Sequence, residues 1–441
     1  MMEAVFTPAW SIVQILHINP VCESGSDMSA KSILFINQHY YPEHVAAGQI
    51  LTDLAEHLAA GGFEVTVLCG RGGYTGESIT SPKEEKHNGV NIRRLRTTDL
   101  GRSSTLGRLT DYATFFVQAL IYTLWHSKND YVITLTTPPL INVLGAILQK
   151  VRNQKYGIWA MDLHPDAEVA LGMIDSDSLV AQLLHRLNNI GYRNANFVIA
   201  IGDYMKQNIE KKGVSNSCLH VIPVWNKKEE VYPVPREENP LLKELGLGDR
   251  FVVMYSGNAG LFHRFDEVLE LMRKLKGHSE IYFLFVGRGP KREQIVSYAD
   301  RHNIKNFKYT DYFPRSKIKY SLSLADVHLL TLNREIAGIA VPSKLYGIMG
   351  VGRPVLMIGP RSSEPADTIS DEQIGKVVEP KQKEEGVDMD AVHTLKNALM
   401  ELHENGSSRK EFGKRGREAF LKRYEQEVAC SAWADLLHQI S

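Results

Sequence analysis

Several classes of protein are excluded by what this chain lacks. Four cysteines occur in 441 residues, Cys22, Cys69, Cys218 and Cys430, with neither paired nor metal-ligand spacing. That excludes a disulfide framework and a zinc site and suits a reducing compartment, the cytoplasm. Charge of one sign is not in excess, because Lys+Arg and Asp+Glu both total 51; no nucleic-acid partner is expected. No apolar run reaches the ~18 residues of a membrane-spanning helix. The first 27 residues lack the basic start and clean apolar segment of a secretory signal. Met28 stands a few residues before the first strand-like run, so translation is expected to start there, with 1–28 a disordered tail or an artefact of the assigned start.

What is present is ordinary for a folded protein: 43% hydrophobic and 23% charged residues. The length exceeds one comfortable core, which predicts two domains. Short β-rich runs alternate with helical stretches throughout. In the first half they fall at 32–36, 64–69, 90–95, 131–135, 156–161, 197–201 and 220–222. The second half repeats the scheme at 250–256, 281–286, 307–309, 327–330, 354–358 and 375–378, with helices such as 48–60 and 265–275 between strands. Continuous apolar runs are what strands buried on both faces of a parallel sheet require. The alternation implies right-handed βαβ units, hence an α/β chain of two doubly wound, Rossmann-like domains facing across a cleft. The joint is expected in 224–240, where prolines and charges cluster.

The densest local signal is Val341-Pro-Ser-Lys-Leu-Tyr-Gly-Ile-Met-Gly-Val-Gly-Arg-Pro-Val-Leu356. It predicts a helix beginning near Pro342, a glycine-rich end at Gly350 and Gly352, and then a buried strand. Ser343 and Lys344 would lie beside free backbone N–H groups at the positive end of the helix, where phosphate binds. The same pattern also serves as plain punctuation in α/β proteins.

Other motifs follow in a fixed order: Asn37-Gln-His-Tyr-Tyr-Pro-Glu-His-Val-Ala-Ala-Gly48, Trp159-Ala-Met-Asp-Leu-His-Pro-Asp166, Val221-Ile-Pro-Val-Trp-Asn226, Tyr255-Ser-Gly-Asn-Ala-Gly260, Phe285-Val-Gly-Arg-Gly-Pro290 and Ala325-Asp-Val-His-Leu329. With the Pro-Ser-Lys run, this series resembles the GT-B glycosyltransferases of family 4, closest to the bacterial branch that builds O-antigen, capsule and exopolysaccharide from nucleotide-activated amino sugars. The resemblance covers about 32–440. It implies a retaining, metal-independent sugar transfer, usually from a UDP-sugar, with the nucleotide sugar as co-substrate and no cofactor. It divides the chain into an acceptor-side domain at 29–225, a nucleotide-sugar domain at 226–415, and a last helix at 416–441 that returns to the first domain.

Donor-side candidates are Gly48, Gly257, Asn258, Gly260, Arg264, Gly287, Arg288, Gly289, Pro342, Ser343, Lys344 and Gly347. Gly48 lets a ligand approach the first helix, or simply packs that helix on its sheet. The resemblance implies an arginine and a lysine on the diphosphate in the 257–264 loop; here Asn258 takes the arginine position and Arg264 could serve as the lysine, or be a solvated charge. Gly287-Arg-Gly289 falls short of a full Gly-x-Gly-x-x-Gly, which argues against a dinucleotide cofactor. Gly347 departs from the family pattern, where a glutamate holds the ribose hydroxyls, and Ile339 replaces a second acidic residue eight positions earlier.

Acceptor-side candidates are His39, Tyr40, Tyr41, Glu43, Tyr74, Asp162 and His164, polar and aromatic groups at strand ends that could bind hydroxyls, although flanking acids at a His-Pro turn are also common caps. Asp175-Ser-Asp177 and Asp388-Met-Asp390 are expected to cap helices rather than bind metal. No protein nucleophile is expected; Lys344 and Arg264 would stabilise the leaving diphosphate. Arg93, Arg94, Arg96, Arg102 and Arg108 precede an apolar, aromatic stretch ending at Trp125. That segment fits either a buried helix or one that meets an anionic membrane surface on the inner face of the plasma membrane, where a lipid-linked acceptor would lie. A non-catalytic nucleotide-sugar-binding or partner-transferase-binding protein, and a UDP-sugar epimerase of the same architecture, are the competing functions.

Overall fold

The computed structural model describes residues 30–43, 45–71, 82–98, 100, 104–126, 128–381 and 386–440. Tyr74, Asp99, Arg102 and the 1–28 segment lie outside them.

The first sheet has eight strands: β1 (Ser32–Ile36), β2 (Glu64–Gly70), β3 (Glu84–His87), β4 (Val90–Leu95), β5 (Tyr131–Thr134), β6 (Tyr156–Ala160), β7 (Phe197–Ala200) and β8 (Leu219–Val221). Their order is β3-β4-β2-β1-β5-β6-β7-β8, parallel except for β3 against β4. The second sheet comprises β9 (Phe251–Ser256), β10 (Ile281–Val286), β11 (Phe307–Thr310), β12 (Val327–Thr331), β13 (Val355–Ile358) and β14 (Gly375–Val378), in the order β11-β10-β9-β12-β13-β14 and wholly parallel. Central strands such as β5, β6, β7 and β12 are buried along their full length, which is why they read as unbroken apolar runs.

The strand order reverses between β1 and β5 in one sheet and between β9 and β12 in the other. Loops beyond the carboxyl ends of strands at such points form the ligand crevice of open α/β sheets. The two sheets face across this cleft. Contacts cross it on one side: Leu163 N–H donates to Ile339 O at 3.0 Å, and the Asn208 amide donates to Gly338 O at 3.0 Å. Glu364 also accepts from the Asp203 N–H at 2.8 Å.

The return of the chain is fixed by aromatic burial. In helix Gln426–Gln439, Trp433 is fully buried, 4.7 Å from Trp159 and 6.4 Å from Phe35 between ring centres. Tyr131 Oη donates to Ile440 O at 2.8 Å beside it. Outgoing and returning chain pair directly: Asn226 N–H donates to Tyr424 O at 3.1 Å, and Gln426 N–H donates to Asn226 O at 3.0 Å.

Candidate active site

Two loops build the floor of the site on the second sheet, one after β9 and one after β10. Gly257 has φ +139° and Gly287 has φ +142°, a region closed to most side chains. A Cβ on Gly287 would lie 2.1 Å from Gly257 O, and one on Gly289 would lie 2.5 Å from Ala259 O. Ala259 N–H donates to Arg288 O at 2.7 Å between the loops. These glycines are therefore required by loop-on-loop contact. Arg288 itself points to solvent, 3.5 Å from Asp311.

Against this floor stands Lys344. Its Nζ is 2.6 Å from Tyr255 Oη and 3.2 Å from His263 Nε2, and lies 4.1 Å from the centre of the Tyr255 ring. A Cβ on Gly257 would come within 3.1 Å of the same nitrogen. His263 Nδ1 donates to Thr331 O at 2.6 Å, which leaves Nε2 free to accept from Lys344. Tyr255 Oη donates to Asn258 O at 2.8 Å and so also accepts from Lys344. Burial, reinforced by the Lys344 charge, pulls the His263 imidazole down to about 3, so it stays neutral. Burial likewise pulls Lys344 down from 10.5 to about 7. A second cation, Lys291, donates to His263 O at 2.6 Å. Tyr255, His263 and Lys291 were not assigned this role from sequence; the signal was a tyrosine closing β9 and a Gly-Pro-Lys turn after β10.

Arg264 does not join this cluster. Its guanidinium grips the buried Glu267 carboxylate at 2.7 and 2.5 Å, reaching from the loop to the first turn of the following helix. The Pro342 expectation also changes. The helix runs Lys344–Gly350, only seven residues, and Ser343 makes no side-chain cap. Pro342 O and Ser343 O accept from the Leu345 and Tyr346 N–H groups at 3.2 Å, a tight turn leading into it. Positive charge therefore resides in the Lys344 ammonium group rather than in a long helix dipole. Gly347 is buried, with room for a Cβ at 3.4 Å from Leu322 Cδ1 and 3.8 Å from Asn226 Nδ2.

On the first sheet, Gly48 abuts the strand-end loop, where a Cβ would meet His39 O at 3.2 Å. His39 Nδ1 bonds Glu43 Oε2 at 2.8 Å in a buried pair. Tyr40 is buried, and burial pushes its hydroxyl far above its ordinary range. Tyr41 stacks on His87 at 4.0 Å, and its carbonyl accepts from the buried Arg94. After β6, Asp162 pairs through its backbone with Ala340, two residues ahead of Pro342. His164, just beyond, bonds Glu168 Oε1 at 2.8 Å through Nδ1. Burial pulls this imidazole down, and the bond and charge of Glu168, with Asp162 and Asp166, more than offset it, so its pKa is raised. Glu168 Oε2 is buried with no hydrogen-bond partner. Burial holds the Asp162 carboxyl above its usual range.

The aspartate pairs have turn roles. Asp388 Oδ1 caps the Met389–Glu404 helix through the Asp390 N–H at 3.2 Å. Asp175 Oδ1 accepts from the Asp177 N–H at 3.0 Å, and Ser178, not an aspartate, caps the next helix.

Residues 46–225 match the family model for the glycosyl transferase 4-like domain, and residues 240–419 match that for glycosyl transferases group 1. Between them they take in most of the chain, which belongs to the glycosyltransferases of GT-B fold. It is 27% identical over 248 residues to the probable glycosyltransferase WbjE of Pseudomonas aeruginosa, a match covering 56% of this chain and 62% of that relative, under two thirds of its length. It is 26% identical to the putative colanic acid biosynthesis glycosyl transferase WcaI of Escherichia coli (strain K12), covering 73% of this chain and 81% of the relative. Sucrose-phosphate synthase from Thermosynechococcus elongatus shares the fold with TM-score 0.73 at 16% identity, covering 93% of this chain and 99% of that one. Anabaena HepE, solved with UDP and glucose, does so with TM-score 0.67 at 15% identity, covering 93% and 100%.

Proposed function

We propose that the protein transfers a sugar from a UDP-sugar, an N-acetylated amino sugar among the candidates, to a hydroxyl of a glycan or lipid-linked acceptor during synthesis of a cell-envelope polysaccharide. One observation carries this reading: Lys344 is half-buried against Tyr255 and His263 at the carboxyl ends of β9 and β12, where a diphosphate would meet it. An ammonium with two neutral acceptors and no carboxylate partner is a charge awaiting an anion. Support comes also from WcaI, a putative colanic acid biosynthesis glycosyl transferase, and from the UDP complexes of HepE.

In the proposed reaction the acceptor oxygen bonds to the anomeric carbon as the carbon–diphosphate bond breaks, and the hydroxyl proton leaves with the diphosphate. Lys344, with Lys291 nearby, stabilises the departing charge. Attack on the face the diphosphate leaves retains configuration. No protein nucleophile, metal or further cofactor is needed, and the reaction belongs in the cytoplasm, where nucleotide sugars are made.

A non-catalytic, nucleotide-sugar-binding function is the second reading, favoured by Gly347 and Ile339 where the family has acids. Calorimetric titration with UDP, GDP and their sugars, followed by assay for transfer, separates them. Preferential UDP binding with turnover supports the transferase; binding without turnover on any envelope glycan acceptor supports the second reading; no binding overturns both.

A further inference from the structure

Helices Thr105–Trp125, Asn142–Arg152 and Leu179–Arg193 lie side by side on one face of the first sheet, as right-handed crossovers toward β5, β6 and β7 dictate. Their inner sides are conventional: Phe115, Ala119, Leu144, Leu148, Ala181 and Tyr192 are buried. Their outer sides are not. A helix covering a sheet should turn polar residues to water. Along the first helix Leu109, Ala113, Val117, Ile121 and Trp125 instead follow at a spacing of four, all exposed. Leu106 is 78% exposed, Trp125 81% and, on the third helix, Leu179 83%. Val151, Val180, Leu183 and Ile190 extend the same surface, and Met173 lies on the loop that leads to the third helix. A core-facing helix accounts for the inner stripe alone.

Charge on the three helices is nearly all of one sign, while the loop before the third helix carries the exposed Asp175 and Asp177. The three helices carry Arg108, Lys150, Arg152, Arg186 and Arg193, and a single acid, Asp111. Asp111 is buried and accepts from the Leu100 N–H at 3.1 Å. Among the described residues none of the five basic side chains forms an ion pair; Arg152 bonds only to the Thr123 and His126 carbonyls, which leaves its charge uncompensated. A second copy docked through the same surface would set basic against basic, because a two-fold interface brings like patches together. A bilayer with anionic headgroups satisfies both properties at once: acyl chains and interfacial water take the apolar side chains and the exposed tryptophan, and phosphate takes the arginines. Among the described residues no helix is long and apolar enough to cross a membrane, so the contact would lie in the interface plane.

We propose that the outer faces of these three helices together form a docking surface for an anionic lipid bilayer, with the Leu179–Arg193 helix as necessary as the Thr105–Trp125 helix. All three run antiparallel to the strands they serve, so the amino-terminal ends bearing Leu106 and Leu179 lie toward the cleft. A docked protein would therefore hold its cleft at the height of the headgroups.

The test is co-sedimentation of the full chain with vesicles of phosphatidylcholine alone or with about a third phosphatidylglycerol. We expect binding at least about tenfold tighter to the anionic vesicles, weakened by salt. Val117→Ser with Trp125→Ser, and separately Leu179→Ser with Leu183→Ser, should each weaken it several-fold while leaving the circular dichroism spectrum and UDP binding unchanged. No sedimentation with anionic vesicles overturns the proposal. So does equal binding to neutral vesicles, or binding indifferent to the Leu179 and Leu183 changes. A stable dimer that the same changes break overturns it in favour of self-association. The assay uses neither donor nor acceptor, so its failure leaves the transferase reading standing.

Discussion

Lys344 and Tyr255 meet at 2.6 Å, ammonium against hydroxyl, and that hydroxyl is itself turned away to donate to Asn258 O. The lysine is thus held at the β9 carboxyl end by groups that accept hydrogen bonds and offer no charge. Replacing it tests whether the position exists for an anion. Lys344→Gln should weaken UDP binding about ten- to a hundredfold, the value of a charge-assisted hydrogen bond, in calorimetry at pH 6.5. Thermal stability should hold or rise, because a half-buried ammonium with no carboxylate partner among the described residues is costly. A fall in melting temperature with unchanged affinity would make Lys344 a structural residue.

The same burial fixes a pH dependence. Folded, Lys344 titrates at about 7; in the unfolded chain it returns to the ordinary 10.5. Between those values the unfolded chain holds a proton that the folded chain lacks, so stability from this group rises with pH across the window, by at most about 1.4 kcal/mol per pH unit. Below about 7 both states hold the proton and the contribution is flat. Neighbouring His263, held near 3, and Tyr255, pushed well above its usual range, do not titrate there. UDP affinity should run the opposite way, falling as pH rises past 7. At pH 8, calorimetry in two buffers of different ionisation enthalpy should report uptake of close to one proton per UDP bound.

Gly287→Ala should disable the site from beneath. The new Cβ would lie 2.1 Å from Gly257 O at a backbone φ of +142°. Backbone against backbone cannot yield cheaply, so a loss of about 2–4 kcal/mol in urea denaturation is expected, with UDP binding lost as the loops part. Gly62→Ala is the control: φ is +90° there, but nothing lies within 4 Å of the added carbon. Only the left-handed backbone strain remains, about 1–2 kcal/mol, and UDP binding should persist.

Both sheets were legible because their central strands are continuous apolar runs. β3 escaped, since Glu84-Glu-Lys-His87 has no apolar residue to announce it; its signal was Asn88-Gly89, both at positive φ, the turn that forces a hairpin back from β4. The site was legible only in part. Lys344 stood out in its motif, but its partners come from β9 and a distant loop, and no local pattern encodes that meeting. Arg264 illustrates the converse: its Glu267 partner was three residues away in plain sequence, although Arg264 itself stands just ahead of the helix that begins at Asp266. The Thr105–Trp125 helix defeated sequence analysis for another reason. Apolar residues on both faces look the same whether the second face meets protein or lipid, and only the positions of its neighbours showed that face uncovered.

Glu168→Gln should separate the acceptor side from the donor side. Glu168 keeps the His164 imidazole more basic than its burial alone would allow. Without that charge the His164 pKa falls. If His164 binds the acceptor hydroxyl and helps its proton on the way to the departing diphosphate, transfer slows, by about ten- to a hundredfold for general-base assistance, and the acid limb of the pH–rate profile moves to lower pH. UDP affinity should not change, since Lys344 and the two glycine loops are untouched. A profile that keeps its shape with a uniformly lower rate would reduce the pair to a structural role at the His164-Pro165 turn.

Substitutions at Gly347 test how the proposed nucleotide is held. This residue lies in a short helix, where glycine costs about 0.5–1 kcal/mol relative to alanine. A Cβ there would meet Leu322 Cδ1 at 3.4 Å and Asn226 Nδ2 at 3.8 Å, both ordinary contacts. Gly347→Ala should therefore stabilise the protein by up to about 1 kcal/mol, seen as a higher melting temperature. UDP affinity should stay unchanged if this position merely lacks the glutamate that the resemblance implies. Gly347→Glu would then add a carboxylate for the ribose hydroxyls and tighten UDP about tenfold. The alternative has a distinct signature. If Gly347→Ala stabilises the fold but weakens UDP, the missing side chain is what lets the nucleotide approach the helix backbone, and the donor is read at this position by shape.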